Sequence, residues 1–536
     1  MTHINHLPVA VLAQILYKVA VTPANTLSEW KAKLPLVAVC RAWTKLAIAT
    51  VFYQVYVEVE ATHSNTRPSW TSSAEFLISR GCILKAKRLT IELADRVTPE
   101  CLKSIALEIL QLDCVDWQDI NTLTITGPSI VHQYYRHISE TEEASNADIA
   151  RIMEYFRLNL RNVVELDLAY SELESKGYCI CSWLVRVYGG QLQIYRALDS
   201  ISFSFIDFFR NIRVLELTLN SSTARILPSI CGETLRVLKL DEVPRNFAWH
   251  HFRYETFDRP IVFPQLTILR LGYQHEDTNQ ALTEYEIQDK VASGAHCCDQ
   301  LSFPALRDLE IRRCTPDCDL LYADLPFPKL KKVHLSGTIN SIRHCSRLKL
   351  AWVEDLEVTV FPTDPGDTTD FYRATSHFFT NVCIGRTAAL NIFLEWFILD
   401  PELMRWANLT ILTIETVDFN TVCMAIGRLP NLAELGIYVL QFGDNSTYSS
   451  SAGASLFTSA DPLLSWAEKL TAMYIYDFDE DYPLIVCASG IQDLILHMGA
   501  LKKLVVPYKT KQLVVSFIDM CIYRFPNMAN IHIIRE

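Results

Sequence analysis

The clearest regularity in this chain of 536 residues is a six-residue pattern, which reads Leu330-Lys331-Lys332-Val333-His334-Leu335 in one of its copies. An aliphatic residue is followed three positions later by a second, and two positions after that by a third. The last two share one face of a β-strand and the residue between them faces the other way, because side chains alternate along a strand. The pattern therefore predicts a short strand with one apolar face.

About fourteen copies of the pattern follow one another from residue 84 to the end of the chain, which is typical of a repeat architecture. A single copy buries too little apolar surface to offset the entropy lost on ordering its backbone, so neighbouring copies must stack and share a core. The sequence therefore predicts an array of parallel strands. The clear copies occupy residues 163–168, 235–240, 266–271, 306–311, 330–335, 353–358, 409–414, 432–437, 470–475, 501–506 and 528–533, and weaker ones begin near residues 86, 120 and 212.

Proline stands two residues before the first aliphatic in several copies, where we expect it to end a preceding helix and to set an extended conformation. The segments between strands read as helices, for example residues 150–158. The alternative is a set of ordinary parallel strands in a multidomain α/β protein, but the near-identical proline segments favour a repeat. These segments are Phe263-Pro264-Gln265-Leu266, Phe303-Pro304-Ala305-Leu306, Phe327-Pro328-Lys329-Leu330, Pro430-Asn431-Leu432 and Phe525-Pro526-Asn527-Met528.

Composition restricts the function. The chain has 49 Lys+Arg against 61 Asp+Glu, a net charge of −12, which argues against nucleic acid and anionic membrane as partners. Its 17 glycines form no phosphate-binding motif. The 16 cysteines are scattered in apolar runs and indicate a reducing compartment. With neither a signal peptide nor a membrane span predicted, we expect a cytoplasmic or nuclear location, or both.

Two apolar helices are predicted near the N-terminus. The first begins at Leu7-Pro8, with proline in its first turn, and carries an apolar stripe of Val11, Leu12, Ile15, Leu16 and Val19. The second spans residues 34–47 and places Trp43 on its apolar face. Two short helices cannot bury this much apolar surface alone, so part of it is expected to face a partner or the first repeat.

These N-terminal residues resemble the F-box motif, in Leu7-Pro8, Val11-Leu12, Ile15-Leu16 and the segment Val39-Cys40-Arg41-Ala42-Trp43. The strand pattern resembles leucine-rich repeats in the irregular form found in many fungal proteins. The resemblance implies an α/β fold: an F-box-like helical domain over residues 1–60, a connector over 61–83, and a leucine-rich-repeat solenoid over 84–536 with parallel strands on its concave face. Residues Phe52-Tyr53 and Val55-Tyr56-Val57 resemble the first strand after the motif.

The same resemblance implies a function. The chain is expected to be the substrate-recognition subunit of an SCF-type (Skp1-cullin-F-box) ubiquitin ligase, bound to a Skp1-like adaptor and through it to a cullin. The alternative is a non-catalytic interaction scaffold whose helical head only caps the repeat core. The residues implied to bind the adaptor are Leu7, Pro8, Val11, Leu12, Ile15, Leu16 and Trp43.

If the array is a solenoid, the residue between the paired aliphatics lies on its concave face. Read copy by copy, these positions form a polar row of mixed charge, which suits recognition of an unidentified target protein. The row also includes Glu216, Lys239, Thr413, Gly436 and Val505. The candidate substrate-binding residues are Asp167, Arg270, Glu310, His334, Glu357 and Tyr474.

No pattern of catalytic residues emerges, so we predict neither an enzyme nor a cofactor; an enzyme site grafted on the array is the remaining alternative. Cys297-Cys298 beside His296, with Cys314 and Cys318, gives the nearest approach to a metal motif. No second cysteine or histidine pair at ligand spacing accompanies it, so no metal site is predicted.

Overall fold

A computed structural model of the chain divides it into two compact units. Unit 1 comprises Met1–Phe247 with His251–Phe257, and unit 2 comprises Ala248–His250 with Asp258–Glu536. The predicted boundaries at residues 60 and 83 stay a prediction. The structure describes residues 8–20, 32, 35, 54–60, 69–73, 86–93, 107–108, 110, 115–126, 146–169, 180–197, 209–218, 233–243, 261–273, 301–314, 327–338, 353–361, 389–394, 410–416, 431–439, 469–477, 501–505 and 532–534.

Unit 1 combines a run of short strands with helices. Its strands pair in parallel in chain order, except that β2 pairs antiparallel with β1. The helices are α1 (Val9–Ala20), α2 (Asn146–Asn159) and α3 (Ile180–Tyr188), of which α2 and α3 contact each other. The strands are β1 (Gln54–Glu60), β2 (Ser69–Ser72), β3 (Arg88–Leu93), β4 (Thr122–Thr126), β5 (Glu165–Ala169), β6 (Ile194–Ala197), β7 (Val214–Thr218) and β8 (Val237–Val243).

The register of unit 1 aligns the paired aliphatics of successive strands. Leu123 lies opposite Leu166, and Leu215 lies opposite Leu238; all four are at most 1 % exposed. Successive strands also repeat one backbone contact at their start. At the start of β5, for example, Val164 N and Glu165 N both donate to a single carbonyl oxygen just before β4, at 2.9 and 3.0 Å. Each copy therefore completes the core and the hydrogen bonding of its neighbour, as the repeat pattern predicted.

Unit 2 is built almost entirely of parallel strands in its described part. Strands β10 and β12 to β20 pair successively in chain order, and β9 pairs with β11 in a separate short sheet. Its strands are β9 (Ile261–Val262), β10 (Ile268–Tyr273), β11 (Leu301–Ser302), β12 (Asp308–Cys314), β13 (Lys332–Thr338), β14 (Asp355–Phe361), β15 (Ala389–Leu394), β16 (Ile411–Thr416), β17 (Glu434–Val439), β18 (Ala472–Asp477), β19 (Lys503–Val505) and β20 (His532–Ile534).

The Phe-Pro segments of unit 2 form tight turns, which differs in part from the prediction. Leu266 N donates to the Phe263 carbonyl at 3.4 Å, and Leu306 N donates to the Phe303 carbonyl at 3.2 Å, so each proline is the second residue of a four-residue turn. The short strands β9 and β11 precede two of these turns, where a helix was expected. The phenylalanines are buried and stack, with ring centroids 5.3 Å apart for Phe263 and Phe303 and 6.2 Å apart for Phe303 and Phe327.

A β-bulge follows the paired aliphatics in one strand of unit 2. The register of β12 on β13 shifts between Ile311 and Cys314, and Arg313 there has a φ of 51°. Its backbone N–H donates to the Ser336 hydroxyl at 3.1 Å, which satisfies a donor that the shifted ladder leaves out. In unit 1, Glu242 takes the same place relative to its paired aliphatics and has a φ of 53°.

The α/β class and the mostly parallel strands are therefore confirmed, and the arrangement is compatible with a repeat solenoid. Strand β1 and helix α2 were predicted from sequence. The second N-terminal helix, residues 34–47, lies outside the described residues apart from Pro35.

Candidate functional site

From β10 to β19, leaving aside the short strand β11, the residue between the paired aliphatics lies in register with the equivalent residue of the next strand. By strand alternation this position belongs to the face opposite the aliphatic one. This line, here called the unit 2 row, contains every predicted substrate-binding residue except Asp167. It consists of Arg270, Glu310, His334, Glu357, Asn391, Thr413, Gly436, Tyr474 and Val505.

Glu310 is the centre of the charged part of the unit 2 row. Its side chain is only 8 % exposed, yet cations surround it. Its Oε2 lies 2.9 Å from Arg270 Nε on β10, and its Oε1 pairs with Arg312 Nε two residues along its own strand. The carboxylate is thus shared by two guanidinium groups, one from the neighbouring strand and one from its own.

These contacts keep the Glu310 carboxylate ionised. The His334 ring and the Arg312 and Arg270 guanidinium groups lower its pKa to about 2, against the opposing effect of burial. These interactions therefore outweigh desolvation at this position, and Glu310 itself stays negatively charged over the whole physiological pH range.

His334 lies between two carboxylates of neighbouring strands. Its Nδ1 is 3.5 Å from Glu310 Oε1, and its Nε2 is 3.4 Å from Glu357 Oε1. At these distances the ring makes long contacts with both carboxylates rather than short hydrogen bonds. His334 therefore links the acidic residues of two neighbouring strands along the row.

The other end of the unit 2 row is neutral and aromatic. Tyr474 accepts a hydrogen bond at 3.0 Å from Lys503 Nζ, which also lies 4.7 Å from the centre of the tyrosine ring. Next to Tyr474 in register, Gly436 has no side chain, and a methyl group placed there would lie 2.9 Å from Thr413 Cγ2. Tyr474 therefore lies next to Gly436, a position where a larger residue would clash with Thr413.

Unit 1 carries an equivalent line of residues, here called the unit 1 row. It holds Asp167, the remaining predicted substrate-binding residue, together with Glu216 and Lys239 of the predicted row. The unit 1 row consists of Tyr56, Thr90, Thr124, Asp167, Arg196, Glu216 and Lys239.

Charges of alternating sign link the strands of unit 1. Glu165, two residues before Asp167, pairs with Arg196 Nη1 and accepts a hydrogen bond at 3.1 Å from the Thr122 hydroxyl. Arg196 Nε lies 3.4 Å from Glu216 Oε2, and Lys239 Nζ lies 2.8 Å from Glu216 Oε1. All these side chains are less than a third exposed, so solvent screens their attraction less than on an open surface.

Asp167 lies beside this chain of ion pairs without joining it. Among the described residues, none donates a hydrogen bond to its carboxylate. Burial raises its pKa, the positive charge of Arg196 opposes that rise, and the negative charge of Glu165 adds to it. Asp167 is thus a carboxylate whose charge the surrounding residues compensate only in part.

Helix α1 presents two apolar faces, which refines the predicted single stripe. The Pro8 carbonyl accepts hydrogen bonds from Val11 N and Leu12 N at 2.9 and 3.0 Å, so proline begins the helix as predicted. Leu12 and Leu16 are 6 % and 0 % exposed. By contrast, Val11 and Ile15 are 40 % and 37 % exposed, and the adjacent Val9 is 71 % exposed.

The predicted adaptor-binding residues are therefore separated by the structure. Pro8, Val11 and Ile15 lie where a partner can reach them, whereas Leu12 and Leu16 pack inside the protein. Leu7 and Trp43 lie outside the described residues, as do His296, Cys297, Cys298 and Cys318 of the candidate metal motif. Within the described ranges, no three potential metal ligands cluster, and no helix has the length and hydrophobicity needed to cross a membrane.

Three charged residues that contact the unit 1 and unit 2 rows were not predicted from the sequence as part of the site. Arg196 lies on β6, where Tyr195 and Ala197 replace the paired aliphatics and hide the pattern. Arg312 lies two residues beyond Glu310, and strand alternation would have placed it on the same face. Lys503 lies two residues before Val505 and is identified only by its contact with Tyr474.

A scan against protein-family models finds no match for the chain, and a search of curated proteins finds none either.

Proposed function

We propose that the chain is the substrate-recognition subunit of an SCF-type ubiquitin ligase, which binds a Skp1-like adaptor through α1 and a target protein through its strand face. The chain itself carries out no chemistry. It raises the local concentration of the target near the ubiquitin-loaded enzyme that a cullin holds. The two rows then determine which target protein is bound, and the N-terminal helix attaches the chain to the adaptor.

The observation that carries the proposal is the pair of apolar faces on α1. Leu12 and Leu16 are buried and anchor the helix to its own chain. Val9, Val11 and Ile15 remain exposed on a helix of 12 residues, which is more apolar surface than a helix with no partner needs to present. Anchoring on one face and exposure on the other suit a helix that docks a second protein.

The rows support the target-binding part of the proposal. Ion pairs of alternating sign fix the positions of the charged side chains, so a partner meets a surface that is already ordered. The aromatic end at Tyr474 adds a side chain type that is common at protein interfaces. A surface with both signs of charge selects a protein partner whose charges are complementary, and it does not attract polyanions in general.

The test is co-purification of the full chain with a Skp1-like adaptor. We expect the wild-type chain to retain the adaptor, and the double variant Val11→Asp plus Ile15→Asp to lose it, because a buried carboxylate in an apolar interface is costly. The matched control is Leu158→Asp, since Leu158 is an apolar residue of α2 with a similar exposure of 43 %. Retention by the control and loss by the double variant support the proposal.

The alternative function is an interaction scaffold whose head is only a cap. The burial of Leu12 and Leu16 favours it, because a cap must cover the open end of a repeat core. In that case no adaptor is recovered with the wild-type chain, or its recovery is the same with the double variant. Either result would set aside the ligase function and leave target binding by the rows as the function to pursue.

A further inference from the structure

The two arginines around Glu310 are held in an unusual way. The shortest contact of Glu310 with each arginine is to the Nε atom: a hydrogen bond from Arg312 and, from Arg270, an ion pair without hydrogen-bond geometry. Among the described residues, none accepts a hydrogen bond from the terminal amino groups of either guanidinium. The carboxylate therefore holds both side chains near their inner nitrogen, and the hydrogen-bonding capacity of their outer ends is unused by these residues.

Exposure supports this arrangement. The Arg270 Nε atom is buried, whereas the whole Arg270 side chain is 37 % exposed. Arg312 is 53 % exposed, and Glu310 beneath them is 8 % exposed. Both arginines are thus partly solvent-accessible above a nearly buried carboxylate, so their positions are set before a ligand arrives.

Arg270 and Arg312 lie on the same face of two neighbouring strands. The residue opposite Arg312 in register on β10 is Gly272, which has no side chain, and Arg270 is two residues earlier on that strand. The exposed parts of the two arginines are therefore neighbours on one face. The nearest other acidic residue of β12, Asp308, lies opposite Lys332 in register, and Lys332 Nζ lies 3.4 Å from Asp355 Oδ2.

We propose that Arg270 and Arg312, held by Glu310, bind a carboxylate of the target protein, from an Asp or Glu side chain. The identity of the ligand as part of a target rests on the proposed function, but the site itself does not. Guanidinium groups bind carboxylates through paired hydrogen bonds. Two arginines less one glutamate leave a surplus of one positive charge, which matches a carboxylate better than a dianionic phosphate.

The first experiment measures binding of a short fluorescein-labelled poly-glutamate peptide to the full chain by fluorescence anisotropy. A neutral poly-glutamine peptide of equal length is the reference ligand. We expect the double variant Arg270→Gln plus Arg312→Gln to bind the acidic peptide at least about tenfold more weakly than wild type, the loss of one paired ionic contact. Equal binding by wild type and the double variant would overturn the proposal.

A second variant guards against misfolding. The double variant leaves Glu310 buried with fewer cations, which is destabilising. The triple variant Glu310→Gln, Arg270→Gln and Arg312→Gln removes the charges together, and we expect it to keep the wild-type circular dichroism spectrum and still to lose peptide binding. A folded triple variant that binds the acidic peptide as wild type does would contradict the proposal.

A control for general charge attraction removes two cations elsewhere. Arg157→Gln plus Lys331→Gln causes the same change in net charge at positions that are 58 % and 55 % exposed. We expect this control to bind the acidic peptide within about twofold of wild type, a difference of less than 0.5 kcal/mol at roughly 1.4 kcal/mol per tenfold. An equal loss in the control and the test variant would show attraction by net charge alone and would overturn the proposal.

A phosphoserine peptide tests the ligand class. We expect it to compete with the poly-glutamate peptide no more strongly than unlabelled poly-glutamate does. Competition that is tenfold stronger would overturn the assignment to a carboxylate. The outcome is independent of the adaptor experiment. If the wild-type chain recovers no adaptor but binds the peptide through the arginines, only the ligase function is rejected; if it recovers the adaptor through α1 but binds the peptide equally well without the arginines, only this site is rejected.

Discussion

Asp167 in unit 1 and Glu310 in unit 2 occupy the same position of the repeat pattern, yet their carboxylates respond to the protein in opposite ways. Burial raises the pKa of Asp167, whereas contacts with His334, Arg312 and Arg270 lower the pKa of Glu310 to about 2. Both side chains follow the first paired aliphatic of their strand. The pattern alone therefore does not decide the charge state of the residue that it positions.

The difference lies in how the nearby cations are engaged. Arg196, the closest guanidinium to Asp167 in register, pairs with Glu165 and with Glu216. Arg270 and Arg312 both direct their Nε atoms to Glu310. The cation of unit 1 is thus divided among several carboxylates, and the cations of unit 2 converge on one, so the two carboxylates contribute to stability with opposite sign.

The largest expected effect comes from breaking the unit 2 cluster by Glu310→Gln. The pKa of Glu310 is about 2 in the folded protein against 4.5 ordinarily, so at neutral pH its ionisation stabilises the fold by about 3 kcal/mol. We expect the variant to lose about 2–3 kcal/mol of unfolding free energy, since glutamine still accepts hydrogen bonds. Urea unfolding at pH 7, followed by circular dichroism, measures this change.

The pH dependence of this variant supplies its control. A carboxylate with a lowered pKa contributes fully above pH 4.5 and loses that contribution as the pH falls towards 2. The difference in unfolding free energy between wild type and variant should therefore be present at neutral pH and should narrow as the pH falls below 4.5. Glu154→Gln, which breaks a pair between two exposed side chains, should unfold as wild type does. Equal losses of unfolding free energy in Glu310→Gln and Glu154→Gln would contradict the contrast drawn between Glu310 and Asp167.

Much of the fold could be predicted because the paired aliphatics must share one core. Their alternation placed the strands and aligned Leu215 with Leu238. Strands β6 and β15 were missed, since Tyr195 and Ala197 fill the aliphatic positions of β6, and the sequence has Thr387 where the six-residue pattern around Leu390 and Ile392 requires its first aliphatic. A buried tyrosine and a small alanine meet the same packing requirement as aliphatics, which a pattern of residue types cannot express.

The candidate site could be predicted only as a set of positions. Alternation placed Asp167 and Glu310 on the polar face, but ion pairing depends on side chains contributed by neighbouring strands and on their directions. Arg312 reaches Glu310 along one strand, while Arg270 reaches it from another. The two faces of α1 were read as one stripe because helical spacing cannot tell which apolar side chains, such as Leu12 and Ile15, the rest of the chain covers.

A smaller effect is expected where the unit 2 row carries no charge. In Gly436→Ala the added methyl group would lie 2.9 Å from Thr413 Cγ2 and 3.0 Å from its Oγ1, so the threonine must move. We expect a loss of about 1 kcal/mol, at the lower end for overpacking, because a side chain rather than backbone yields. Chemical unfolding measures it, and adding Thr413→Ala should restore most of the loss. No recovery in the double variant would place the cost elsewhere than in this contact.

The smallest effect, and the one of opposite sign, is expected from Asp167→Asn. A carboxylate with a raised pKa binds its proton more tightly in the folded protein, so stability falls as the pH rises through the interval between its ordinary and raised pKa. At pH 7 the charged Asp167 therefore costs stability, and the amide should raise the unfolding free energy by less than about 1 kcal/mol, since Arg196 already offsets part of that cost. Urea unfolding of wild type and variant at pH 7 and near pH 4 measures the gain, which should shrink at the lower pH as Asp167 takes up its proton. A loss of stability at pH 7 would mean that Asp167, like Glu310, is held by cations, and the contrast between the two units would then disappear.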